Sequence, residues 1–383
     1  MLKNKTLYLL PFLFCVYFLT SCQNLSEKKL WPDLEKPRVV CTTEMLHALV
    51  ASIGKEDVQY QVLISGELDP HSYQLVKGDG EKLATAQRIF SNGLLLEHGP
   101  SLKKFLEKSD ANISLGDRLF VAFAEDLLSV SGQVDPHIWM DLSLFIKLNF
   151  DIAKELSLLV PAKRELFYGR ARRMSHYVML AHDYLVEFMQ ALPSHKRYLV
   201  TSHDAFHYFT RAYIASAAET RKGAVDQVWM SRMIAAEGLA PESQISISQI
   251  ARVADYMARY DVRTVFAESN INTDAIRKIE SVMQYRKLPV KISTKPLYGD
   301  SMPSKVAYQN IKDSSPLFAK VLDVMKLPNQ RAGMEQAQSP DAIHRNIGDL
   351  HEPGGQFLHY IAMIVHNVET IHEHLSADVL LSD

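Results

Sequence analysis

Cysteine is scarce in this chain: Cys15, Cys22 and Cys41 are the three among 383 residues. Cys15 lies in the apolar N-terminus and Cys22 at a processing signature, so only Cys41 would remain as a free thiol in the mature protein, and no disulfide framework is available. The folded part must therefore rest on its apolar core. An excess of one charge is also lacking. The formal net charge is −2 and no long basic run occurs, which leaves no electrostatic footprint for nucleic acid. Long hydrophobic runs are missing too. The N-terminal run Leu7–Leu19 falls short of the about 20 residues that span a bilayer and contains Pro11. No later segment reads as a transmembrane helix, and no His-Glu-x-x-His pairing of a helix-borne zinc hydrolase is present.

What is there begins with an address. Lys3 and Lys5 precede the apolar run, and Leu19-Thr20-Ser21-Cys22 ends it. That is a bacterial export signal with the small residues of a lipobox, predicting cleavage before Cys22 and acylation of that cysteine. The alternative is an uncleaved anchor. Residues 1–21 are thus a lipoprotein signal peptide and 22–36 a polar tether to the membrane.

The chain is 47% apolar, enough for a sizeable core, and its texture predicts two lobes. In 37–160, the strand-like runs 38–43, 58–64, 88–93 and 112–116 alternate with helical patterns such as 44–54, the mark of a parallel α/β sheet. Pro161 to Pro193 bound about thirty residues rich in helix formers, a long linker helix unless it breaks near Gly169. Alternation resumes in 194–383 with runs at 197–203, 263–269 and 290–299, and the chain closes on a helix over 354–375. A polar stretch at about 303–348 reads as an insertion. The predicted fold class is α/β, two lobes each with a mainly parallel sheet flanked by helices, joined by one long helix.

Two triplets carry the chemistry. Asp-Pro-His occurs at 69–71 and again at 135–137. Proline fixes its own φ and pushes the residue before it towards extended backbone, so each triplet delivers an imidazole from a stiff, non-helical segment. His203 ends the run 197–203 and Asp300 ends the run 290–299, and functional groups of α/β lobes gather at such carboxyl ends.

In order, "LDPHSYQLVKGDGEKLATAQRIFSNGLLLE" (68–97), "DPHIWMD" (135–141), "VTSHDAFHYFTRAY" (200–213), "VFAESNIN" (265–272) and "KPLYGDSM" (295–302) resemble the zinc- and manganese-binding lipoproteins of ABC importers, the rigid-linker-helix class of solute-binding proteins. The resemblance covers nearly the whole mature chain. It implies a metal site of His71, His137, His203 and Asp300, donors that suit a divalent transition metal: zinc, manganese or iron. It implies an ABC permease as partner, a lipid-anchored monomer in the periplasm or at the cell surface, and capture in place of catalysis. A metal-dependent hydrolase and a surface adhesin on the same fold are the alternatives.

Several neighbours have weaker claims. Asp69, Asp135 and Asp204 could fix loops or imidazole tautomers, and Glu268 falls where the resembled proteins keep an acidic residue near the cleft. His207 would share a face with His203 if that segment were helical. His366, His372 and His374 are expected on the solvent face of the last helix, and no long His-rich acidic loop occurs. Relatives run from the ligand aspartate almost directly into the final helix. Here nearly fifty residues intervene, so Asp349 stands as a second candidate for the carboxylate beside Asp300.

Overall fold

The computed structural model describes residues 30–130, 132–221, 225–239, 245–326 and 355–380. The signal segment, Cys22 and Asp349 lie outside them. The first sheet is built from β1 (Arg38–Thr43), β2 (Gln59–Ile64), β3 (Arg88–Ser91) and β4 (Asn112–Ser114) in the order β2-β1-β3-β4, every pair parallel. Val39 pairs with Tyr60 on one side and Arg88 on the other. Central β1 is an unbroken apolar run because both its faces are covered. Val39 and Cys41 pack with α1 (Glu44–Gly54), while Val40 faces Leu83 of α2 (Asp79–Thr85) and Leu102 of α3 (Pro100–Leu106). Helix α1 starts directly from β1: the Thr43 hydroxyl accepts from the Leu46 amide, and Met45, Leu46, Leu49, Val50 and Ile53 are buried. Two more helices, α4 (Leu115–Phe123) and α5 (Leu148–Leu159), complete this lobe.

The fold begins earlier than the expected tether boundary. Trp31 is 0% exposed and its indole N–H donates to the Thr85 hydroxyl at 2.8 Å, while Gln61 Nε2 on β2 donates to the Leu30 carbonyl at 3.1 Å. One large apolar side chain in a polar stretch is enough to fasten residues 30–36 to the lobe.

The linker is a single helix, α6 (Arg164–Gln190), 27 residues passing through Gly169 without a break and about 40 Å long. Each end is clamped to a lobe. Arg170 reaches the carbonyls of Ile53 and Gly54 at 3.1 and 3.2 Å and Asp57 at 2.8 Å. At the other end, Gln190 Nε2 donates to the carbonyls of Tyr213 and Ala215 at 2.9 and 2.8 Å. A continuous apolar core runs from Val39 and Leu49 through Phe167, Val178 and Leu185 of α6 to Phe206 and Phe209.

A short antiparallel hairpin, β5 (Ser129–Val130) with β6 (Gln133–Val134), precedes the second Asp-Pro-His triplet. The second sheet has shorter strands: β7 (Leu199–Thr201), β8 (Met233–Ala235), β9 (Thr264–Val265) and β10 (Lys291–Ile292). β7 pairs in parallel with β8, β9 pairs in parallel with β10, and a parallel bridge between Thr201 and Phe266 joins the two halves. Helices α7 (Ile247–Tyr260) and α8 (Asp274–Tyr285) bury Val253, Met257, Ile276 and Ile279 against it.

The expected insertion is structured in its first half. Helices α9 (Lys305–Ser314) and α10 (Pro316–Lys326) fill it, with Ser304 capping the first and proline opening the second. Phe318 and Val321 are fully buried, and α10 packs on α6 and on the final helix α11 (Gln356–Leu380). The second half of the predicted insertion is outside the described residues. The histidines of α11 also differ from expectation. His374 is buried against Phe266, His372 lies over the Phe188 ring, and His366 Nε2 meets the Pro296 carbonyl at 2.9 Å. The helix is covered on more than one side, by α6, α9, α10 and the segment before Asp300, so a solvent face was the wrong inference from its polar residues.

Candidate metal centre

His71 lies in the loop after β2, His137 just after the hairpin, His203 two residues beyond β7, and Asp300 shortly after Leu297, which bridges to Glu268. The structure brings all four together: one donor atom from each lies within 4.8 Å of the others, and every residue is buried. No other such group of His, Cys, Asp and Glu occurs among the described residues. Asp349 lies outside them.

The spacing fits an ion. His71 Nε2 and His137 Nε2 are 3.2 Å apart, and the Asp300 oxygens lie 3.5, 3.3 and 3.0 Å from the Nε2 atoms of His71, His137 and His203. A tetrahedron of nitrogen and oxygen donors each about 2.0–2.1 Å from zinc has edges of about 3.3 Å. Both Asp300 oxygens are buried without a hydrogen-bond partner, a deficit that a cation at the centre would fill.

The braces behind these donors differ. Asp135 Oδ1 lies 2.7 Å from His137 Nδ1 and also accepts the His137 amide at 2.9 Å. Glu268 does the same for His203, with Oε2 at 2.7 Å from Nδ1 and Oε1 accepting the His203 amide at 2.9 Å. The Asp135 carboxylate holds the hydrogen on His137 Nδ1 and turns Nε2 towards the centre, while Glu268 fixes His203 through its amide and stands beside its Nδ1 as an ion pair. Asp69 accepts the His71 amide at 2.8 Å and touches the Ser72 hydroxyl but makes no bond to the His71 ring. The Asp204 side chain reaches none of the four. His207 is 7% exposed and opens its own helical turn, so His203 precedes the helix and the two do not share a helical face.

Charge follows the same pattern. Burial alone would lower the His137 imidazole, but Asp135 and Asp300 outweigh it and raise it to about 9. Burial likewise opposes protonation of His203, yet Glu268 and Asp300 hold it well above the usual histidine value. His71 is lowered, because burial there prevails over Asp300. Burial would raise Asp300, and His203 and His137 hold it well below the ordinary carboxylate range.

Other residues of the site were not singled out from sequence. Trp139, inside the second motif, donates its indole N–H to the Gly299 carbonyl at 2.8 Å, tying one lobe to the residue before Asp300. Tyr360 of α11 donates to the Trp139 carbonyl at 2.6 Å. Gly299 has no room for a side chain: a Cβ would sit 2.3 Å from Glu268 Oε2. Glu97 collects the Thr42 hydroxyl and the Asn92 and Gly93 amides, and Asn92 Nδ2 donates to the Pro136 carbonyl at 3.0 Å, linking the first sheet to the second triplet.

Residues 39–311 match the family described as zinc-uptake complex component A, periplasmic. The metal-binding protein YtgA of Chlamydia pneumoniae is 37% identical over 296 residues, covering 77% of this chain and 89% of that protein. The zinc-binding protein TroA of Treponema pallidum is 30% identical over 273 residues, covering 70% and 81%. Among solved structures, Fe(III)-bound YtgA from Chlamydia trachomatis superposes with a TM-score of 0.69 at 33% identity, covering 89% of this chain and 98% of that one.

Proposed function

The chain belongs to the family of the periplasmic zinc-uptake complex component A, and from that membership we propose that it captures a divalent transition ion, zinc, manganese or iron, and delivers it to an ABC permease for import. The observation that carries this reading is the convergence of His71, His137, His203 and Asp300 from both lobes at spacings that suit one ion. Three imidazoles and one carboxylate form the coordination shell, Asp135 sets the tautomer of His137, Glu268 stands beside His203, and the ion is cargo. Relatives named for zinc or bound to Fe(III) support a transition metal without choosing one. A hydrolytic centre needs an open position for water, whereas four protein donors close a tetrahedron here.

Cys22 is the acylated anchor in this reading, and the protein works as an exported monomer on the membrane surface. Two measurements test the proposal. Protein purified from its host without added metal should carry one equivalent of a single transition ion by elemental analysis, and metal-free material would overturn capture. Titration with Zn²⁺ and Mn²⁺ should show a strong loss for Asp300→Ala and a slight one for Asp349→Ala. The reverse ranking would move the carboxylate to Asp349.

A further inference from the structure

We propose that the final helix α11 is the seat of the Asp300 carboxylate and that Asn367 is the residue positioning it, an inference that rests on the four-donor reading above. His359, His366 and Asn367 of α11 follow the spacing i, i+7, i+8, which puts them on one face of the helix. All three direct hydrogen bonds to the backbone of one segment, Pro296 to Pro303, the one that carries Asp300. His359 Nε2 donates to the Pro303 carbonyl at 2.6 Å and His366 Nε2 to the Pro296 carbonyl at 2.9 Å, since a carbonyl only accepts. Between these two points Asn367 Oδ1 accepts the Tyr298 amide at 2.9 Å, and its Nδ2 donates to the Tyr298 carbonyl at 2.8 Å.

Asn367 thus stands where a neighbouring strand would stand. A backbone N–H only donates and a carbonyl only accepts, so the two partners on Tyr298 fix which way the side-chain amide points. Leu297, one residue earlier, pairs instead with the chain that carries Glu268: its amide donates to the Ala267 carbonyl at 2.8 Å, and its carbonyl accepts the Ser269 amide at 2.9 Å. The segment is therefore paired through Leu297 on the sheet and through Tyr298 on α11. Asn367 and Tyr298 are both buried, so removing the side-chain amide takes the partner from two backbone groups that water does not readily reach, and the segment must shift to satisfy them.

Asp300 has to follow such a shift. Asp135 braces the His137 ring through Nδ1, but both Asp300 oxygens are without a hydrogen-bond partner and face only the imidazoles of the site. The backbone two residues after Tyr298 is what aims this carboxylate. His71, His137 and His203 are borne on other segments and keep their places. Asn367 touches none of the four donors and acts on the ion through Asp300 alone.

The test is a double-mutant cycle on the full chain, read by Zn²⁺ titration and by amide hydrogen exchange of the metal-free protein. Asn367→Leu keeps the approximate size of the side chain and removes both hydrogen bonds. It should speed exchange across residues 296–303 without metal and weaken Zn²⁺ binding by about tenfold, the lower end of the range for residues that orient a ligand. His359→Phe keeps a ring beside Tyr308 and gives up one hydrogen bond, for a loss of about threefold. Because both act through one carboxylate, neither should lower the affinity that remains in Asp300→Ala. Unaltered exchange or unaltered Zn²⁺ affinity in Asn367→Leu overturns the proposal, and so does an equal loss in the Asp300→Ala background, which marks general loosening of the fold. Where Asn367→Leu does not fold, His359→Phe decides by the same cycle, its loss vanishing with Asp300 or the proposal failing. Asp300→Ala by itself separates the two ideas. Full affinity there removes the carboxylate from the four-donor reading, whereas lost affinity there with normal binding in both α11 variants removes the positioning role alone.

Discussion

The two Asp-Pro-His arms share a local device and differ in everything around it. In both, the aspartate carboxylate accepts the amide of the histidine two residues on, at 2.8 Å from Asp69 and 2.9 Å from Asp135, the short-range turn bond that aspartate forms readily. In the second arm the same oxygen also lies 2.7 Å from the ring nitrogen, and Trp139 and Tyr360 lock the following residues. In the first arm the ring has no such brace and borders a cavity. One triplet thus yields a donor braced at its ring and one without that brace, and the difference comes from tertiary neighbours absent from the motif.

The widest separation should appear on deleting the imidazoles. Four-donor zinc sites provide about 10–16 kcal/mol, so losing one donor should cost about 4 kcal/mol, roughly a thousandfold in affinity. His137→Ala should reach that value and His71→Ala should fall short of it in chelator-competition titrations, since the His71 ring lacks the carboxylate brace that orients His137. Equal losses would put the arms on the same footing.

A smaller contrast lies in the aspartates. Asp135→Asn should weaken Zn²⁺ binding by about 10- to 100-fold, the range for residues that orient metal-bound histidines, whereas Asp69→Asn should change it by no more than about threefold because a neutral amide oxygen can still accept the His71 N–H. Comparable losses would mean that Asp69 also governs its ring.

The finest distinction is in protons. His137 is raised to about 9 and His203 well above the usual value, so both hold protons at pH 7.5 in the metal-free protein, while lowered His71 does not. Metal binding should release about two protons there, and affinity should climb with pH from neutrality towards 9, a higher window than the ordinary histidine value of about 6.5 would give. Calorimetry in buffers of different ionisation heat counts these protons. Asp135→Asn should remove about one, and a count near zero in the unaltered protein would contradict the charge balance.

Much of the fold was readable because local and global signals agreed. Runs 38–43, 58–64, 88–93 and 112–116 became β1 to β4 within two residues, and 44–54 became α1. His71, His137, His203 and Asp300 stood out through stiff triplets, strand ends and the family resemblance, and the fold brings them together, while their role as ligands belongs to the proposal above. What escaped depends on contacts distant in sequence. Trp31 is defined by Thr85, the indole of Trp139 by Gly299, and the burial of His374 by Phe266. Residues 305–326 were legible in principle, with Ser304 and Pro316 as helix starts, but were absorbed into one polar insertion because the stretch beyond them is so polar.

The buried indole of Trp31 also sets a leash. Nine residue steps separate it from Cys22, and a fully extended chain covers about 30 Å over that count. With a lipid on Cys22, the Trp31 edge of the first lobe can rise no further from the headgroups than about the depth of one bilayer core. The protein would therefore patrol a thin layer over the membrane, meeting a permease by sideways travel and a change of tilt.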